Sequence, residues 1–323
     1  MADRKIFFIV NPKAAHGRAV LWWQKFLPLL PQIKGETSWA YTYAHFSAAL
    51  QAEAAIEDGY NVLVSIGGDG TAMEVLNGLM RSGKYAEVAI LPWPVGTGRD
   101  FARMLYADNN QTDLVYLLNH GVGNAVDILE ADYTLKSGMK DKCYLFNMCN
   151  LGIAAITSDM VNNIPVKHIG KLSFLYAALL VISKFKGVEL SVKIDGKKLE
   201  RKKYAVACFG NGGYIGGGMH ACPEAEIDDG FIDILLANNM PRRKIFSFLP
   251  SFMKGNHLGI NGITYTKGRS VEVDSPIPQI IDFDGEHPGF TPLKLSILPA
   301  CVTILNLEEK SIKQGNKEIR IPI

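Results

Sequence analysis

The sequence predicts an α/β domain with a parallel sheet, followed by a mainly antiparallel β-sandwich domain. Its 323 residues correspond to about two domains of the usual ~100–200 residues each. Strand-like and helix-like segments alternate over residues 1–125, which is typical of a parallel sheet covered by helices. Short strand-like segments dominate residues 126–306 instead. We therefore predict domains at 1–125 and 126–306, and residues from about 307 to 323 are a candidate for a return to the first domain.

Four apolar segments of the first domain are predicted as strands, at 5–10, 39–43, 61–66 and 87–91. Helices are predicted at 19–30 and 47–57, and a third helix follows the loop after the third strand. Loops rich in glycine or polar residues follow three of these strands, at 11–18, 67–71 and 92–103. Because the carboxyl ends of parallel strands line the ligand crevice of an open sheet, these loops are candidates for one binding site.

Nine segments of the second domain are predicted as strands, at 124–131, 142–148, 188–194, 204–209, 231–236, 270–274, 279–283, 293–298 and 302–307. Asp195-Gly196 lies between two extended segments and predicts a type I′ hairpin turn. Two helical insertions are predicted at 170–184 and 242–253. The boundary near residue 125 contains little Pro or Gly, which predicts a fixed cleft between the domains.

Composition and charge exclude several classes of protein. The chain has 34 Lys and Arg against 32 Asp and Glu, whereas a general nucleic-acid binder usually has a stronger basic excess. Its five cysteines include no C-x-x-C pair, which argues against a disulfide framework or a zinc site and favours a reducing, cytoplasmic location. The longest apolar segment, 172–185, is interrupted by Ser and Lys and is shorter than the ~20 residues of a membrane span.

The strongest motif is Gly67-Gly68-Asp69-Gly70-Thr71, which lies between a predicted strand and a predicted helix. Glycines at such a turn let backbone N–H groups converge on a phosphate, and the helix N-terminus adds partial positive charge. The simpler alternative, a tight turn with Asp69 as a helix cap, does not require three glycines. The motif is not a Walker A sequence, since no G-x-x-x-x-G-K-[ST] is present. We therefore predict phosphate binding at this loop.

The loops and several later segments together resemble the diacylglycerol-kinase catalytic family, which includes sphingosine kinases, ceramide kinases and bacterial lipid kinases. The matching motifs of the first domain are NPKAAHGR at 11–18, GGDGT at 67–71 and PVGTGRDFAR at 94–103. Those of the second domain are GGGM at 216–219, PEAEIDDGF at 223–231, DGE at 284–286 and the segment 292–298. The resemblance thus covers nearly the whole chain in order.

This resemblance implies a two-domain kinase with its active site in the cleft between the domains, where it uses ATP with Mg²⁺ and phosphorylates a lipid hydroxyl. The nucleotide-binding residues that it implies are Asn11, Thr42, Gly67, Gly68, Asp69, Gly70, Thr71, Glu74 and Thr97. The catalytic acids that it implies are Asp284 and Glu286, with Asp69 beside the phosphates. Because Asp284 and Glu286 are two residues apart at the end of a predicted strand, we expect both side chains to project the same way.

The resemblance also implies a structural Mg²⁺ site in the second domain. Its ligands would be the Asp229 carboxylate and the main-chain carbonyls of Glu226 and Phe231, with Asp100 joined through water. Two positions depart from the family pattern, since Arg99 stands where Asn is usual and Ala15 where Gly is common. Arg99 either replaces the missing hydrogen bonds to phosphate, for which Arg is well suited, or indicates a different acceptor.

Two other functions stay open from the sequence. NAD kinases also carry the GGDGT motif, although the first loop and the DGE motif favour the lipid branch. A nucleotide- or lipid-binding regulator without catalysis is supported only by Arg99 and is opposed by the intact acids.

The segment 242–253 bears on the partners of the protein, because it is first basic and then aromatic. The pattern suits a helix on an anionic membrane, but an amphipathic helix that covers the β domain is the favoured interpretation. A lipid substrate predicts action at a membrane surface, peripheral at the inner face. No nucleic-acid partner is predicted, and the sequence is compatible with a homodimer.

Overall fold

A computed structural model describes residues 4–95, 99–105, 111–163 and 171–307 of the chain. The chain divides into two compact units. The first unit comprises the residues up to Asp127 and those from Ala300 onward, and the second comprises Ile128–Pro299. Of the C-terminal segment from about 307 to 323, only residue 307 lies within the described residues.

The first unit is built on a parallel sheet. Its strands are β1 (Lys5–Val10), β2 (Glu36–Tyr41), β3 (Val62–Gly67), β4 (Ala89–Pro94) and the C-terminal part of β17 (Gly289–Asn306). Its helices are α1 (Arg18–Phe26), α2 (Ser47–Glu57), α3 (Asp69–Ser82), α4 (Ala102–Leu105) and α5 (Gln111–His120). The strand order is β17–β4–β3–β1–β2, and each neighbouring pair is parallel. The carboxyl ends of β1 to β4 therefore lie at one edge.

Aromatic packing fixes α1 on this sheet. The ring of Phe8 on β1 lies 5.2 Å from that of Trp23 and 5.7 Å from that of Phe26, measured between centroids. The helix predicted over 19–30 ends at Phe26 and continues as a 3₁₀ segment, Leu27–Gln32. The two prolines of that segment explain the early end, because proline lacks the N–H that an α-helix needs.

The second unit is mainly antiparallel. Its strands are β5 (Val122–Leu135), β6 (Lys140–Leu145), β7 (Met148–Gly152), β8 (Val188–Ile194), β9 (Lys197–Lys198), β10 (Lys202–Gly210), β11 (Tyr214–Ile215), β12 (Met219–His220), β13 (Ile232–Asn238), β14 (Ile263–Gly268), β15 (Ser270–Asp274), β16 (Asp282–Phe283) and the first part of β17. The strand β5 begins in the first unit and continues into the second. Its helices are α6 (Ile153–Asn163), α7 (Lys171–Lys184) and α8 (Arg242–Lys254). The main order is β14–β13–β10–β8–β15–β17, and β7 pairs with both β10 and β16.

Several details differ from the sequence prediction. The segment 142–148 contributes to two strands, β6 and β7, whereas 293–298 and 302–307 belong to the single strand β17. β17 stays continuous because its distortion is confined to Ala300, whose φ is 48°. Helix α6 was not predicted, since its Ile, Thr and Val residues weaken the helical signal. The predicted hairpin is confirmed, because Asp195 and Gly196 have φ of 46° and 80° between β8 and β9.

Within the part of the chain that the structure describes, no helix combines the length and the hydropathy that a membrane span needs.

Candidate functional site

The carboxyl edge of the parallel sheet brings several predicted residues together. The N–H of Asn11, directly after β1, donates to the carbonyl of Ile66 on β3 at 2.9 Å. The N–H of Thr42, directly after β2, donates to the carbonyl of Val10 at 2.9 Å. These backbone hydrogen bonds hold Asn11 beside the end of β3, where the glycine-rich turn begins, and Thr42 beside the end of β1. We call Asn11, Thr42 and Gly67–Thr71 the phosphate edge.

The glycine-rich turn is tightly packed at its first residue. A Cβ atom on Gly67 would lie 2.5 Å from the Thr71 hydroxyl oxygen, so that only glycine fits there. The same oxygen accepts a hydrogen bond from the Asn11 side-chain amide at 2.9 Å. α3 begins at Asp69, and the first N–H groups of a helix have no partner within the helix. The phosphate edge thus presents backbone donors and a helix N-terminus, which is a favourable environment for phosphate.

The loop after β1 has a second set of convergent backbone groups. Ala15, His16 and Gly17 have positive φ of 52°, 57° and 84°. Successive N–H groups in such conformations form a concavity that suits an anion. The left-handed conformation explains why glycine would be common at position 15, where this chain has Ala15.

Two acids stand at the start of α3 and before α4. The N–H of the buried Asp100 lies 3.4 Å from a carboxylate oxygen of Asp69. Burial raises the pKa of Asp69 to about 7, and the Asp100 carboxylate acts in the same direction. The backbone N–H of Asp100 and the charge of Arg103 oppose this rise only in part. Asp69 is therefore an acid whose charge is costly in the protein alone, and a bound cation would stabilise it.

The sequence also singled out Glu74, Thr97 and Arg99 in the first unit. The Glu74 carboxylate accepts the N–H of Ala48 at 3.2 Å and contacts His45 Nδ1 at 3.1 Å, so that it tethers the start of α2. Arg99 is exposed immediately before Asp100. Thr97 lies outside the described residues.

In the second unit, Asp284 and Glu286 do not continue a strand as expected. β16 ends at Phe283, and the backbone N–H groups of Phe283 and Glu286 donate to each other's carbonyls at 2.8 and 2.9 Å. Asp284 and Gly285 form the two-residue turn between them, with φ of 50° and 93°. The expectation that both side chains project from one face of a strand was wrong, because an Asp-Gly pair favours this turn over an extended chain. We call residues 283–286 the acid turn.

The acid turn is held by neighbours that the sequence did not single out. The Met148 N–H donates to Asp284 Oδ1 at 2.9 Å, and the Asn162 side-chain amide donates to the Gly285 carbonyl at 2.7 Å. Directly before the turn, Asp282 is buried and accepts the Asn150 side-chain amide at 2.9 Å. Burial raises the pKa of Asp282 to about 6. No motif marked Asn150 or Asn162, since their role depends on β7 and α6 lying against the turn.

The segment expected to hold a structural Mg²⁺ has a different partner. Asp229 Oδ1 accepts the Phe231 N–H at 3.0 Å, and Asp229 Oδ2 lies 2.6 Å from the Lys267 ammonium. Both carboxylate oxygens are thus engaged within the protein. A cation site at Asp229 would have to accommodate or displace the Lys267 ammonium, so that this residue set is a poor fit for Mg²⁺ as it stands. Asp100, which was expected to join the ion through water, lies beside Asp69 in the first unit.

Comparison with known families matches these two regions separately. The model of the diacylglycerol kinase catalytic domain matches residues 5–131, and that of the YegS C-terminal NAD kinase beta sandwich-like domain matches residues 147–306. The chain is therefore similar to diacylglycerol kinases along most of its length. The two matches together cover both the phosphate edge and the acid turn.

Individual members of the family are distant in sequence. A diacylglycerol kinase of Mycobacterium tuberculosis is 25% identical over 312 residues, which cover 93% of this chain and 94% of that protein. A diacylglycerol kinase of Staphylococcus aureus is 24% identical over 258 residues, which cover 80% of this chain and 78% of that protein.

A solved structure supports the fold. The crystal structure of a diacylglycerol kinase from Bacillus anthracis has a TM-score of 0.71 at 21% identity, and it covers 95% of this chain and 98% of that one. The predicted fold class, a parallel α/β domain and an antiparallel β-sandwich domain, is confirmed. The cleft between the domains stays a prediction.

Proposed function

We propose that this protein is an ATP-dependent lipid kinase, which transfers the γ-phosphoryl group of ATP to a hydroxyl group of a diacylglycerol-like or sphingoid-like lipid. The observation that supports it most directly is that family similarity covers both units, one with a phosphate edge and the other with an acid turn. Phosphoryl transfer needs little from a protein beyond positioning, charge neutralisation and removal of one proton. The residues present suit each of these tasks.

In this proposal the first unit binds the nucleotide. The N-terminus of α3 and the backbone N–H groups of the loop after β1 bind the phosphates. Asn11 orders the edge through its hydrogen bond to Thr71, and Asp69 positions the metal–nucleotide complex. Mg²⁺ that arrives with ATP neutralises the phosphate oxygens when it is bound. Thr42, Glu74 and Thr97 are further proposed nucleotide contacts.

The second unit is proposed to supply the base. A carboxylate of the acid turn, on Asp284 or Glu286, accepts the proton of the lipid hydroxyl while the hydroxyl oxygen attacks the γ-phosphorus. The bond from that phosphorus to the bridging oxygen of ATP breaks, and ADP leaves. The turn is rigid enough for this task, because Asp284 exchanges backbone and side-chain hydrogen bonds with Met148. Fixed geometry of this kind is what makes general-base catalysis efficient.

An NAD kinase is the second candidate, and one observation favours it. The family model that matches residues 147–306 is described as NAD kinase beta sandwich-like. An NAD kinase would phosphorylate a ribose hydroxyl with the same phosphate edge. A catalytically inactive regulator is less well supported, since Asp69, Asp284 and Glu286 are all present.

A side-by-side phosphorylation assay tests these functions. The purified chain is incubated with labelled ATP and Mg²⁺, and diacylglycerol, a sphingoid base, ceramide, phosphatidylglycerol, a polyprenol and NAD are offered separately. We expect label in one lipid class and none in NAD. Label in NAD alone would identify the second candidate, and label in no acceptor, including a total lipid extract of the source cells, would contradict both.

A further inference from the structure

The two helical insertions of the second unit concentrate positive charge. Residues 171–186 and 241–254, which include α7 and α8, contain seven Lys or Arg residues and no Asp or Glu. The rest of the chain then has 27 basic against 32 acidic residues, although the whole chain has a net charge of +2. α7 and α8 contact each other, so that the two acid-free segments are neighbours. Such a local concentration of positive charge favours an anionic partner.

Helix α8 has two different faces. Its inner face covers the β structure, as the favoured interpretation of the sequence expected, and lines an apolar cavity of about 80 Å³. The residues of α8 that line this cavity are Ile245, Phe248, Leu249 and Phe252. The outer face is formed by exposed residues at helical spacing, Arg243, Phe246, Pro250 and Met253. We call these four residues, with Arg242 and Lys254, the outer face of α8.

The role of α8 as a cover for the β structure does not explain why its outer face carries exposed apolar residues. Phe246 and Met253 remain 37% and 43% exposed, and they lie between basic residues at both ends of the helix. Helices that lie in a membrane interface have this composition, with apolar side chains at the acyl boundary and Lys or Arg at the headgroups. We propose that the outer face of α8 docks on an anionic lipid bilayer.

In this arrangement the basic residues contact lipid phosphates, while Phe246 and Met253 enter the interface. The purpose of the docking, access to a membrane lipid as phosphoryl acceptor, rests on the proposed function. Docking is measured as vesicle binding in the absence of ATP. A failure of the docking proposal can therefore be distinguished from a failure of the proposed kinase function. A protein partner with an acidic surface, including a second copy of this chain, is an alternative outcome of the test.

Vesicle sedimentation of the full chain without ATP provides that test. Vesicles of phosphatidylcholine alone are compared with vesicles that also contain phosphatidylglycerol. The double variants Arg242→Gln/Arg243→Gln and Phe246→Ser/Met253→Ser alter the outer face. Matched controls are Lys197→Gln/Lys198→Gln, an exposed basic pair on β9, and Met139→Ser, which removes a methionine that is 63% exposed.

We expect wild type to bind only the anionic vesicles, and binding to weaken as salt increases. Each α8 variant should lose about tenfold or more in vesicle affinity, whereas the controls and the melting temperature should not change. All variants should phosphorylate a detergent-dispersed lipid like wild type. Equal vesicle binding by wild type and α8 variants would overturn the proposal, as would a lipid-free dimer that only the α8 variants lose. Vesicle binding by a chain that phosphorylates no lipid would instead contradict only the proposed function.

A separate observation concerns Lys267 on β14. Its ammonium nitrogen lies 2.6 Å from Asp229 Oδ2, 3.4 Å from Asp233 Oδ2 and 3.1 Å from the Glu224 carbonyl oxygen. An ammonium group has three N–H donors, and three acceptors surround this one. Asp233 is fully buried and also accepts the Tyr265 hydroxyl at 2.6 Å. A buried carboxylate of this kind requires a positive partner.

Lys267 is suited to remain charged in this position. Two carboxylates face its ammonium group, that of Asp229 at 2.6 Å and that of the buried Asp233 at 3.4 Å. We propose that the Lys267 ammonium supplies at Asp229 the positive charge that the family resemblance attributes to a structural Mg²⁺. The second unit would then fold without a metal at this place.

Thermal unfolding in EDTA and in Mg²⁺, without nucleotide, tests this role. We expect the wild-type melting temperature to be the same in both, and Lys267→Met to lower it by several degrees because Asp233 loses its partner. The control Lys193→Met breaks the exposed pair with Glu272, 2.9 Å apart, and should change little. A rise of the wild-type melting temperature in Mg²⁺ that Asp229→Asn removes would overturn the proposal. If Lys267→Met does not fold, the wild-type comparison alone decides.

Discussion

Replacement of Asp284 by Asn is expected to lower kcat on the lipid substrate by about 10²–10⁴, the usual loss when a general base is removed. ATP affinity should change little, because the acid turn belongs to the second unit and the phosphate edge to the first. The measurement is steady-state kinetics on the acceptor identified by the phosphorylation assay, with ATP and lipid varied separately.

The structure indicates that Asp284→Asn removes the basic oxygen while it preserves the conformation of the turn. Asn tolerates the φ of 50° at position 284 better than most residues. Its side-chain oxygen still accepts the Met148 N–H, which lies 2.9 Å from Asp284 Oδ1. The matched control is Asp195→Asn, because Asp195 occupies the same kind of turn and its carboxylate also accepts a backbone N–H, that of Ser270 at 2.8 Å. This control should keep wild-type kcat.

Glu286→Gln completes the test of the acid turn. The Glu286 side chain is exposed, and the turn is closed by its backbone, so that the substitution should leave the fold unchanged. We expect a loss of kcat here as well, since in the proposed function the second carboxylate of the turn orients the hydroxyl or holds a catalytic cation. If both variants retain more than about a tenth of the wild-type kcat, the catalytic assignment of this turn is wrong.

The sequence predicted the phosphate edge better than the acid turn, for a physical reason. In the first unit, Asn11, Thr42 and the glycine-rich turn lie at the ends of β1, β2 and β3, and the parallel order of these strands brings their ends to one edge. The acid turn instead depends on contacts with Met148 and Asn162, which lie more than 100 residues earlier in the chain. A local pattern that is compatible with a strand end and with a turn cannot report such contacts.

The same distinction explains the Asp229 segment. Its composition matched the family motif, but Lys267 reaches Asp229 only because β14 pairs with β13 and places Lys267 opposite Asp233. Without that strand pairing, the sequence alone does not distinguish Lys267 from an ordinary surface lysine. Glu74 is a comparable case, since the helix position was predictable and its contact with the start of α2 was not.

Substitution of Asp69 is expected to lower the activity of the protein without lowering its stability. Its pKa of about 7 in the folded protein lies above the reference value of 3.8, so that the native state retains a proton that the unfolded chain releases. The contribution of Asp69 to stability therefore falls as pH rises from about 4 to about 7. Asp69→Asn, which cannot ionise, should be at least as stable as wild type at about pH 8 and should lose this part of the pH dependence. Melting temperatures across that pH range measure the effect.

Unlike stability, phosphoryl transfer should fall when Asp69 is replaced. Asp69 lies at the N-terminus of α3 beside Asp100, where we propose that its carboxylate positions the metal–nucleotide complex. Asp69→Ala and Asp69→Asn should therefore each lower phosphoryl transfer by orders of magnitude. The control Asp58→Ala removes an exposed acid at the end of α2 and should change neither activity nor melting temperature. Turnover near the wild-type level in both Asp69 variants would show that this carboxylate has no part in transfer. A large fall in their melting temperature would show instead that Asp69 stabilises the loop, because a residue that serves the nucleotide alone leaves the fold of the empty protein intact.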